Sequence, residues 1–421
     1  MKKYDNYKDS GIEWLGDIPN HWKVTKLKFI GDAIGGLTYA PNNVVDNENE
    51  GVLVLRSSNI QNGKLSLKDN VFVNLEISDK LTLKKGDILI CSRNGSQHLI
   101  GKNICIDERT EGSTFGAFMM IFRSKYYGFL NHYFNSPIFT SQSGLFLTAT
   151  INQLTSGTLN NFYIAIPKSI EEQTQIANYL DHKTTQIDTL IAKKEQFIRL
   201  LQEERTAVIN QAVTKGLDPK VKMKDSGIEW LGEIPEHWEV KRMKYLCDVT
   251  TGGKDTENRE DDGKYPFFVR SQTIERISSY SFEGEAILTA GDGVGVCKVW
   301  HYVNEKFDFH QRVYMMSNFQ PVLGKYLFFY LKENFGKEVM KLSAKSTVDS
   351  LRRPMFQNFM VCFGSLYEQK KIIEEIEFQE ARIDTLISKS HQEIELLKEY
   401  KTALISEVVT GKVDVRDIVL N

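Results

Sequence analysis

The chain repeats two of its segments in the order A, B, A, B, and this order limits the possible folds more than any other feature. Segment A reads KDSGIEWLGDIPNHW at residues 8–22 and KDSGIEWLGEIPEHW at residues 224–238, so 13 of 15 positions are identical at an offset of 216. Segment B carries the pentapeptide IDTLI at residues 187–191 and again at 383–387, at an offset of 196. The chain is therefore built from two copies of one framework.

The residues between A and B form two inserts that are not copies of each other. They occupy residues 23–168 and 239–364, are 146 and 126 residues long, and align poorly. A chain of 421 residues exceeds what one hydrophobic core usually supports, so at least two domains are expected. A duplicated framework that holds two unlike inserts indicates one scaffold presenting two different binding surfaces.

The composition is that of an ordinary soluble protein, with 41% hydrophobic and 26% charged residues and no apolar run long enough to span a membrane. The N-terminus lacks the apolar segment of a signal peptide. Five cysteines without C-x-x-C spacing argue against a zinc site and a disulfide framework, so we expect a protein of the reducing cytoplasm. The net charge is −2, but residues 112–168 contain basic residues and no acidic one, which is compatible with local contact to a polyanion.

Each B segment is predicted to form one long amphipathic helix, because apolar residues recur in it at the three- and four-residue steps of a heptad repeat. Capping boxes at Ser169-x-x-Glu172 and Ser365-x-x-Glu368 predict where the helices start. About 43 residues of helix would span roughly 65 Å. The apolar positions are Ile187, Ile191, Ile198, Leu201, Val208 and Ala212 in the first copy and Ile383, Ile387, Ile394, Leu397, Leu404 and Val408 in the second.

The two helices are expected to bury their apolar seams against each other, and the alternative is that each packs on its own insert. The interruptions of the seam are repeated as well, since Arg205 matches Lys401 at the same offset. Polar residues at seam positions tend to fix the register of a helix pair. Gly216 and Gly411 are predicted to end the two helices.

The A segments concentrate aromatic residues and proline in a short span. We interpret them as hydrophobic strips that seat each insert on the helices, and a ligand site is the alternative. His21 and His237 occupy equivalent places in the strips and are expected to pack rather than to catalyse. The residues predicted to serve as scaffold or to dock partners are Trp14, Trp22, Trp230, Trp238, Ile187, Leu190, Ile383 and Leu386.

Both inserts follow predicted strands with polar loops. The first has an apolar run at 52–55 before Arg56, and the second has one at 267–269 before Arg270. Such loops project hydrogen-bonding groups from a rigid sheet. Arginine forks suit guanine O6 and N7, and the amides of asparagine or glutamine suit adenine N6 and N7. Any one loop could be a solvated turn, but the recurrence in two divergent inserts favours a function.

These loops supply the candidate DNA contacts. In the first insert they are Arg56, Ser57, Asn59, Arg93, Asn94, Ser96, Gln97, Asn152, Gln153 and Thr155. In the second insert they are Arg270, Ser271, Gln272, Asp292, Lys298, Gln311, Arg312, Ser346, Thr347 and Arg352.

Catalytic motifs are absent from the sequence. There is no G-x-x-x-x-G-K followed by serine or threonine, and no H-E-x-x-H. The glycines of residues 291–295 fall short of the dinucleotide-binding G-x-G-x-x-G. Asp181-His182-Lys183 could suggest a nuclease motif, but it lies within the predicted helix and its repeat partner is Glu377-Phe378-Gln379. We therefore predict neither catalytic residues nor a metal site.

Three repeated motifs together resemble the specificity subunit of type I restriction-modification systems. They are W-L-G-x-I-P-x-H-W in the strips, E-Q-x-x-I at residues 172–176 and 368–372, and I-D-T-L-I. The resemblance extends over essentially the whole chain. In that family the inserts are target recognition domains, each of which reads one half of a bipartite sequence in double-stranded DNA.

The resemblance implies an α+β fold in which two globular domains are each followed by a long helix. It places target recognition domains at residues 1–168 and 218–364, spacer helices at 169–217 and 365–415, and a tail at 416–421. The two helices would pack as an antiparallel coiled coil. Tandem copies can pair in this way only through a pseudo-two-fold axis, so unlike inserts would read an asymmetric target.

The resemblance also implies a non-catalytic chain. Two modification subunits would supply adenine-N6 methylation with S-adenosylmethionine, and restriction subunits would supply cleavage with ATP and Mg²⁺, so this chain itself would bind no cofactor. The alternative is an architectural coiled-coil protein whose inserts bind proteins. A third possibility, an enzyme in its own right, lacks a constellation of acid, base or nucleophile. A salt series separates the specificity subunit from the architectural protein, because DNA binding should weaken steeply as the salt concentration rises.

Overall fold

The computed structural model describes residues 2–61, 63–144, 153–341 and 350–420. It divides into two compact units. Unit 1 comprises Met1–Lys193 and Gln392–Asn421, and unit 2 comprises Lys194–His391. Each unit therefore contains one A segment, one insert and parts of both B segments.

In its described residues, unit 1 contains short strands and four α-helices, the last of which continues into unit 2. The strands are β1 Tyr7–Asp9, β2 Asp17–Pro19, β3 Lys23–Lys26, β4 Asp32–Gly35, β5 Val44–Val45, β6 Val52–Leu55, β7 Ile60–Gln61, β8 Lys64–Leu65, β9 Phe72–Val73, β10 Ile88–Cys91, β11 Asn103–Cys105, β12 Thr114–Phe115, β13 Met119–Arg123 and β14 Tyr163–Ile166. The helices are α1 Tyr127–Phe134, α2 Pro137–Gly144, α3 Ser156–Asn160 and α4 Ile170–Lys215.

The centre of unit 1 is an antiparallel sheet in the order β11-β10-β13-β4. Strands β10 and β13 are apolar at successive positions because both faces of this sheet are covered. Ile88 and Ile90 face the larger core cluster, and Leu89 and Cys91 face a smaller one. A second sheet, β12-β6-β9-β5, contains a parallel pair between β6 and β12. The strand predicted at 52–55 is thus confirmed as β6.

The described residues of unit 2 form fewer and longer strands than those of unit 1. They are β15 Met223–Asp225, β16 Glu233–Pro235, β17 Glu239–Arg242, β18 Asp248–Thr251, β19 Tyr265–Phe268, β20 Glu275–Ile277, β21 Phe282–Ala290, β22 Trp300–Phe309, β23 Val313–Ser317 and β24 Met360–Phe363. Its helices are α5 Gly324–Lys341, α6 Arg353–Asn358 and α7 Leu366–Val409, the last of which continues into unit 1. Six strands form one sheet in the order β18-β23-β21-β22-β19-β20.

The repeated segments fold alike in both units. Each A segment forms a hairpin, β1 with β2 and β15 with β16, in which Lys8 pairs with Ile18 and Lys224 pairs with Ile234. A second pair of strands, β3 with β14 or β17 with β24, joins the first residues of each insert to the last. This pairing brings the end of the insert back to the strip, immediately before the long helix begins.

The long helices start at the predicted capping boxes. The backbone N–H of Glu172 donates to Ser169 Oγ at 3.2 Å, and that of Glu368 donates to Ser365 Oγ at 3.3 Å. Helix α4 ends before Gly216, as predicted. Helix α7 ends at Val409 and not at residue 415, because Gly411 adopts φ +73 and the residues after it turn back into the core of unit 1. All twelve predicted heptad positions are buried or half-buried.

Within each unit, the first part of one long helix packs beside the last part of the other. In unit 1, Lys401 Nζ lies 2.7 Å and 2.8 Å from the two carboxylate oxygens of Asp188. In unit 2, Arg205 makes the equivalent ion pair with Asp384. Arg205 and Lys401, the polar residues that interrupt the two seams, therefore each pair with the aspartate of an I-D-T-L-I motif. The first turns of each helix also join the core of their own insert.

The glycines that end the long helices lie against the strips. A Cβ at Gly411 would come within 2.4 Å of Pro19 Cδ, whereas a Cβ at Gly216 would meet Trp238 Cζ2 at 3.3 Å. Both glycines have positive φ, +73 and +74, a conformation that costs other residues about 1–2 kcal/mol. Of the two, Gly411 has the closer approach, because its added Cβ would overlap the ring of Pro19.

We expect Gly411→Ala to lower the free energy of unfolding by about 2–4 kcal/mol and Gly216→Ala by about 1–2 kcal/mol, because only the first adds a steric overlap to the cost of positive φ. Differential scanning calorimetry of the two variants measures the difference. Gly227→Ala is the control, since its φ is +71 and no atom lies within 4 Å of the added Cβ. Equal losses at all three glycines would show that Pro19 moves aside at no cost.

Candidate nucleic-acid interface

The strips are held at the first turn of each long helix by one carboxylate. In unit 1, Glu172 accepts hydrogen bonds from Tyr4 Oη and Trp22 Nε1, both at 2.9 Å, and lies 2.8 Å from His21 Nε2. Its side chain is 6% exposed, and Trp22 is completely buried. Trp22 of the strip thus packs at the first turn of α4, and His21 belongs to that contact.

Unit 2 repeats the arrangement at Glu368, which lies 2.6 Å from His237 Nε2 and accepts from Trp238 Nε1 at 3.3 Å. Here the carboxylate also accepts from the backbone N–H of Ser365 at 2.9 Å, which completes the capping box. The glutamine that follows each glutamate is buried and donates to the backbone just before its helix, at Pro167 or Gly364. The E-Q pair of the repeated motif therefore fastens strip and insert to the helix.

The pKa of Glu368 is lowered to about 2 from its ordinary 4.5. Desolvation alone would raise this pKa, but hydrogen bonds from His237, from Ser365 and from Trp238 outweigh it. A group whose pKa is lower in the folded state stabilises the fold above its unfolded pKa, and this contribution is lost as the pH falls through the folded pKa. The stabilising contribution of Glu368 should therefore disappear between about pH 5 and pH 2.

We expect Glu368→Gln to lower the melting temperature at pH 7. The difference in melting temperature between this variant and the wild type should become smaller as the pH falls from 5 toward 3. The side chain is 34% exposed, so solvent screening keeps the effect modest. Thermal scans of both proteins from pH 7 to pH 3 measure it. Glu395→Gln, on the surface of α7, is the matched control. A constant difference across this range would mean that Glu368 does not couple protonation to stability.

Surface 1, in unit 1, is formed by the loops that follow β6 and β10 and by the turn before β13. It surrounds an open cavity of about 390 Å³ whose lining includes Arg56, Ser57, Arg93, Asn94 and Phe118. Four of these five residues were predicted as DNA contacts. The structure thus brings together loops that are about 40 residues apart in sequence.

Hydrogen bonds fix the side chains of surface 1. Arg93 Nη2 donates to Gln153 Oε1 at 2.6 Å, and its guanidinium lies over the ring of Phe118 with 5.7 Å to the centroid. Asn94 Nδ2 donates to Ser57 Oγ at 3.2 Å, and Arg56 pairs with Asp69. An arginine fork, an amide and an aromatic ring are therefore held at one open edge of the unit.

The other predicted residues of the first insert lie elsewhere or have local roles. Asn59 is fully buried and its amide donates to Ser66 O at 2.9 Å, so we do not include it among the candidate base contacts. Thr155 caps α3 by accepting from the N–H of Thr158. Ser96 and Gln97 are exposed near the turn but do not line the cavity. Asn152 lies outside the described residues.

Surface 2, in unit 2, is centred on a carboxylate between two arginines. Arg270 Nη1 donates to Asp292 Oδ1 at 2.9 Å, and Arg312 Nη1 donates to Asp292 Oδ2 at 2.7 Å. Desolvation would raise the pKa of Asp292, but its bonds to both guanidinium groups lower it below the ordinary value. The three residues, predicted from separate loops, therefore form one cluster with both aspartate oxygens occupied.

The remaining predicted residues of the second insert surround this cluster or carry local contacts. Gln311 Nε2 donates to Asp255 Oδ2 at 2.7 Å, and Ser271 Oγ donates to Thr273 O at 3.0 Å. Gln272, Lys298 and Arg352 are exposed, and Arg352 precedes the first turn of α6. Ser346 and Thr347 lie outside the described residues.

Surfaces 1 and 2 are built on the same backbone frame. The N–H of Ser92 donates to Phe118 O at 2.9 Å, and in unit 2 the N–H of Gly291 donates to Arg312 O at 2.8 Å. Isolated bridges join Arg93 to Gln153 and Asp292 to Ser350. Arg93 thus corresponds to Asp292, and Phe118 corresponds to Arg312. The backbone hydrogen bonds match while the side chains differ in charge and polarity.

Phe118 lines surface 1 but was not predicted from the sequence. Its side chain is 58% exposed, although an aromatic ring usually lies in a core. The other contacts were predicted from polar loops, whereas Phe118 is an aromatic residue that follows Gly116 and Ala117. An exposed phenylalanine can contact the methyl group of thymine. An aromatic residue in a glycine-containing turn between two strands is the signal that could have found it.

The described parts of the chain show neither a cluster of metal ligands nor a helix that could cross a membrane. Among those residues, no three or more histidine, cysteine, aspartate or glutamate side chains are grouped so that they could hold a metal ion. In the same residues, no helix combines the length and the apolar character needed to cross a membrane.

Comparison with known proteins agrees with the repeated motifs. The family described as Type I restriction modification DNA specificity domain matches residues 19–199 and 235–396, which make up most of the chain. The EcoKI type I restriction enzyme specificity subunit of Escherichia coli (strain K12) is 29% identical over 242 residues, or 56% of this chain and 50% of that protein. The chain thus spans about half the length of this relative. The putative MjaX specificity subunit of Methanocaldococcus jannaschii is 25% identical over 98% of both chains.

Solved structures show the same fold. A chain from a study of complex assembly and conformational transition in a type I R-M system has a TM-score of 0.73, with 94% of this chain and 99% of that chain covered at 14% identity. The HsdS subunit from Thermoanaerobacter tengcongensis has a TM-score of 0.56, with 94% and 98% covered at 14% identity. Since the family matches both inserts and reaches into both long helices, the chain belongs to the type I restriction-modification DNA specificity family.

Proposed function

We propose that this chain is a sequence-specific DNA-binding specificity subunit of a type I restriction-modification complex, and that surfaces 1 and 2 each read one half of a bipartite target. The observation that carries the proposal is the shared backbone frame with unlike side chains. A common frame presents each surface to duplex DNA in the same way, and different side chains select different bases. The target is therefore asymmetric.

We propose that the two long helices form one antiparallel coiled coil with pseudo-two-fold symmetry. The ion pairs within the two units support this. From Asp188 to Arg205 the chain advances 17 residues along α4, and from Lys401 to Asp384 it moves back 17 residues along α7. Equal and opposite steps are what a single antiparallel register requires. A coiled coil of this length would set the distance between the two half-sites.

The partners follow from the same proposal. This cytoplasmic chain would bind no cofactor and would dock two modification subunits, which use S-adenosylmethionine, and restriction subunits, which use ATP and Mg²⁺. Of the residues predicted as scaffold or docking sites, Ile187 and Ile383 are buried, whereas Trp14 and Leu190 are exposed. Trp230 and Leu386 are half-buried. We assign the buried residues to scaffold and propose Trp14 and Leu190 as docking residues.

Methylome sequencing tests the function. The modification subunits with this chain should methylate adenine within one bipartite, asymmetric motif, and the modification subunits or this chain alone should give no motif-specific methylation. Sequence-independent methylation by the complete set of subunits would contradict the proposal. So would turnover by this chain alone.

A salt series separates DNA reading from an architectural role in which the inserts bind proteins. Neutralising phosphates with lysine and arginine releases counterions, so the affinity for duplex DNA should fall by orders of magnitude between 50 and 200 mM salt. Fluorescence anisotropy of the purified chain with a labelled target duplex measures this. Absence of binding at low salt would favour the architectural role.

A further inference from the structure

Residues 291–295, Gly-Asp-Gly-Val-Gly, resemble an incomplete nucleotide-binding loop in the sequence, and the structure gives them another role. A Cβ at Gly291 would lie 2.7 Å from the carbonyl oxygen of Arg312, and a Cβ at Gly295 would lie 2.4 Å from that of Arg270. Gly293 has φ +72. The glycines therefore let the loop approach the backbone of both arginines, which places Asp292 between their side chains.

Asp292 orients the arginines and is not itself available to a base. Each of its carboxylate oxygens accepts from one guanidinium group, and the side chain is only 17% exposed. Arg270 and Arg312 are 43% and 61% exposed. In the described parts of the chain, their Nη2 and Nε groups have no hydrogen-bond partner. Two guanidinium forks are thus fixed at one end and open at the other.

We propose that surface 2 reads guanine through the forks of Arg270 and Arg312, with Asp292 as a positioning residue. The proposal rests on the proposed function of this chain and adds the base that unit 2 recognises. A guanidinium fork matches the O6 and N7 acceptors of guanine in the major groove. Because a carboxylate already fixes each fork, less side-chain entropy is lost when the arginine binds. A base contact depends on the orientation of the fork more than a phosphate contact does.

The test compares methylomes of complexes assembled with the wild-type chain and with Arg270→Lys, Arg312→Lys and Asp292→Asn. Lysine keeps the charge but loses the fork. We expect one half-site of the wild-type motif to contain guanine. We expect each lysine variant to lower the discrimination at a guanine of that half-site by about 5- to 150-fold while the other half-site stays unchanged. Asp292→Asn should relax positions in the same half-site.

Arg259→Lys is the matched control, because Arg259 is exposed in the same unit and does not belong to the cluster. It should leave the motif unchanged. The proposal is overturned if neither half-site contains guanine, or if the lysine variants weaken methylation of all sequences equally, as loss of a phosphate contact would. Asp292→Asn that lowers only thermal stability, with an unchanged motif, also overturns the positioning role. Absence of any motif with the wild-type chain would instead contradict the proposed function.

Discussion

Glu172→Ala is expected to lower the free energy of unfolding of unit 1 by about 3–5 kcal/mol. Removal of the carboxylate leaves Tyr4 Oη and Trp22 Nε1 without their acceptor in a buried site, and each buried donor without a partner costs about 1–3 kcal/mol. The strip would then lose its polar anchor to the first turn of α4. Urea denaturation, combined with hydrogen–deuterium exchange of peptides from residues 2–26, measures the loss and locates it.

Three variants show whether the hydrogen bonds cause this loss. Trp22→Phe keeps most of the packed ring and removes only the indole N–H, so it should cost less than Glu172→Ala. Glu171→Ala changes the neighbouring residue, whose carboxylate accepts a hydrogen bond from Ser169 at the helix start, and should have little effect. Glu368→Ala removes the equivalent carboxylate in unit 2, but water reaches that site, so its cost should be smaller. A loss at Glu171 as large as that at Glu172 would point to the charge near the helix N-terminus and not to the strip.

The sequence was sufficient to predict the parts of the fold that depend on local pattern. Heptad spacing and capping boxes predicted both long helices, because amphipathic periodicity and helix caps act over a few residues. The aromatic strips were predicted to pack because they concentrate aromatic residues and proline in a short span. The sharing of each helix between two compact units was not predicted, since it depends on the pairing of Asp188 with Lys401 and of Arg205 with Asp384 over about 180 to 210 residues of chain.

The candidate site was predictable only as a set of loops. Arg270, Asp292 and Arg312 were each selected as a polar residue after a strand, but their meeting depends on the register of the six-stranded sheet and on three glycines. Asn59 looked equivalent to these residues in sequence, yet its side chain closes its own loop. The chain around a polar loop residue decides whether its side chain faces solvent or bonds internally. The chain around Phe118 likewise leaves this apolar side chain exposed.

If the two long helices form the proposed coiled coil, their length should set the separation of the two half-sites. We expect one heptad inserted between Gln196 and Phe197, together with one between Gln392 and Glu393, to lengthen the unread spacer of the target while both half-sites stay the same. These two points are equivalent at the repeat offset of 196, and in the proposed antiparallel coiled coil they would lie opposite each other. Seven residues add about 10.5 Å to each helix, which corresponds to about 3 base pairs of duplex. Methylome sequencing of cells that carry the variant measures the new spacer.

The matched control inserts five residues at the same two points. Five residues turn a helix by about 500°, which carries the apolar seam about 140° away from its partner, whereas seven residues turn it by about 700° and return it to within about 20°. The five-residue variant should therefore lose motif-specific methylation, and the heptad variant should keep it. DNA also turns by roughly a third of a helical repeat over 3 base pairs, and this rotation opposes a change of the full length. An increase of one or two base pairs would therefore still show that the helices set the separation of the half-sites. An unchanged spacer in an active heptad variant would show that the modification subunits, and not the helices, set the separation of the half-sites.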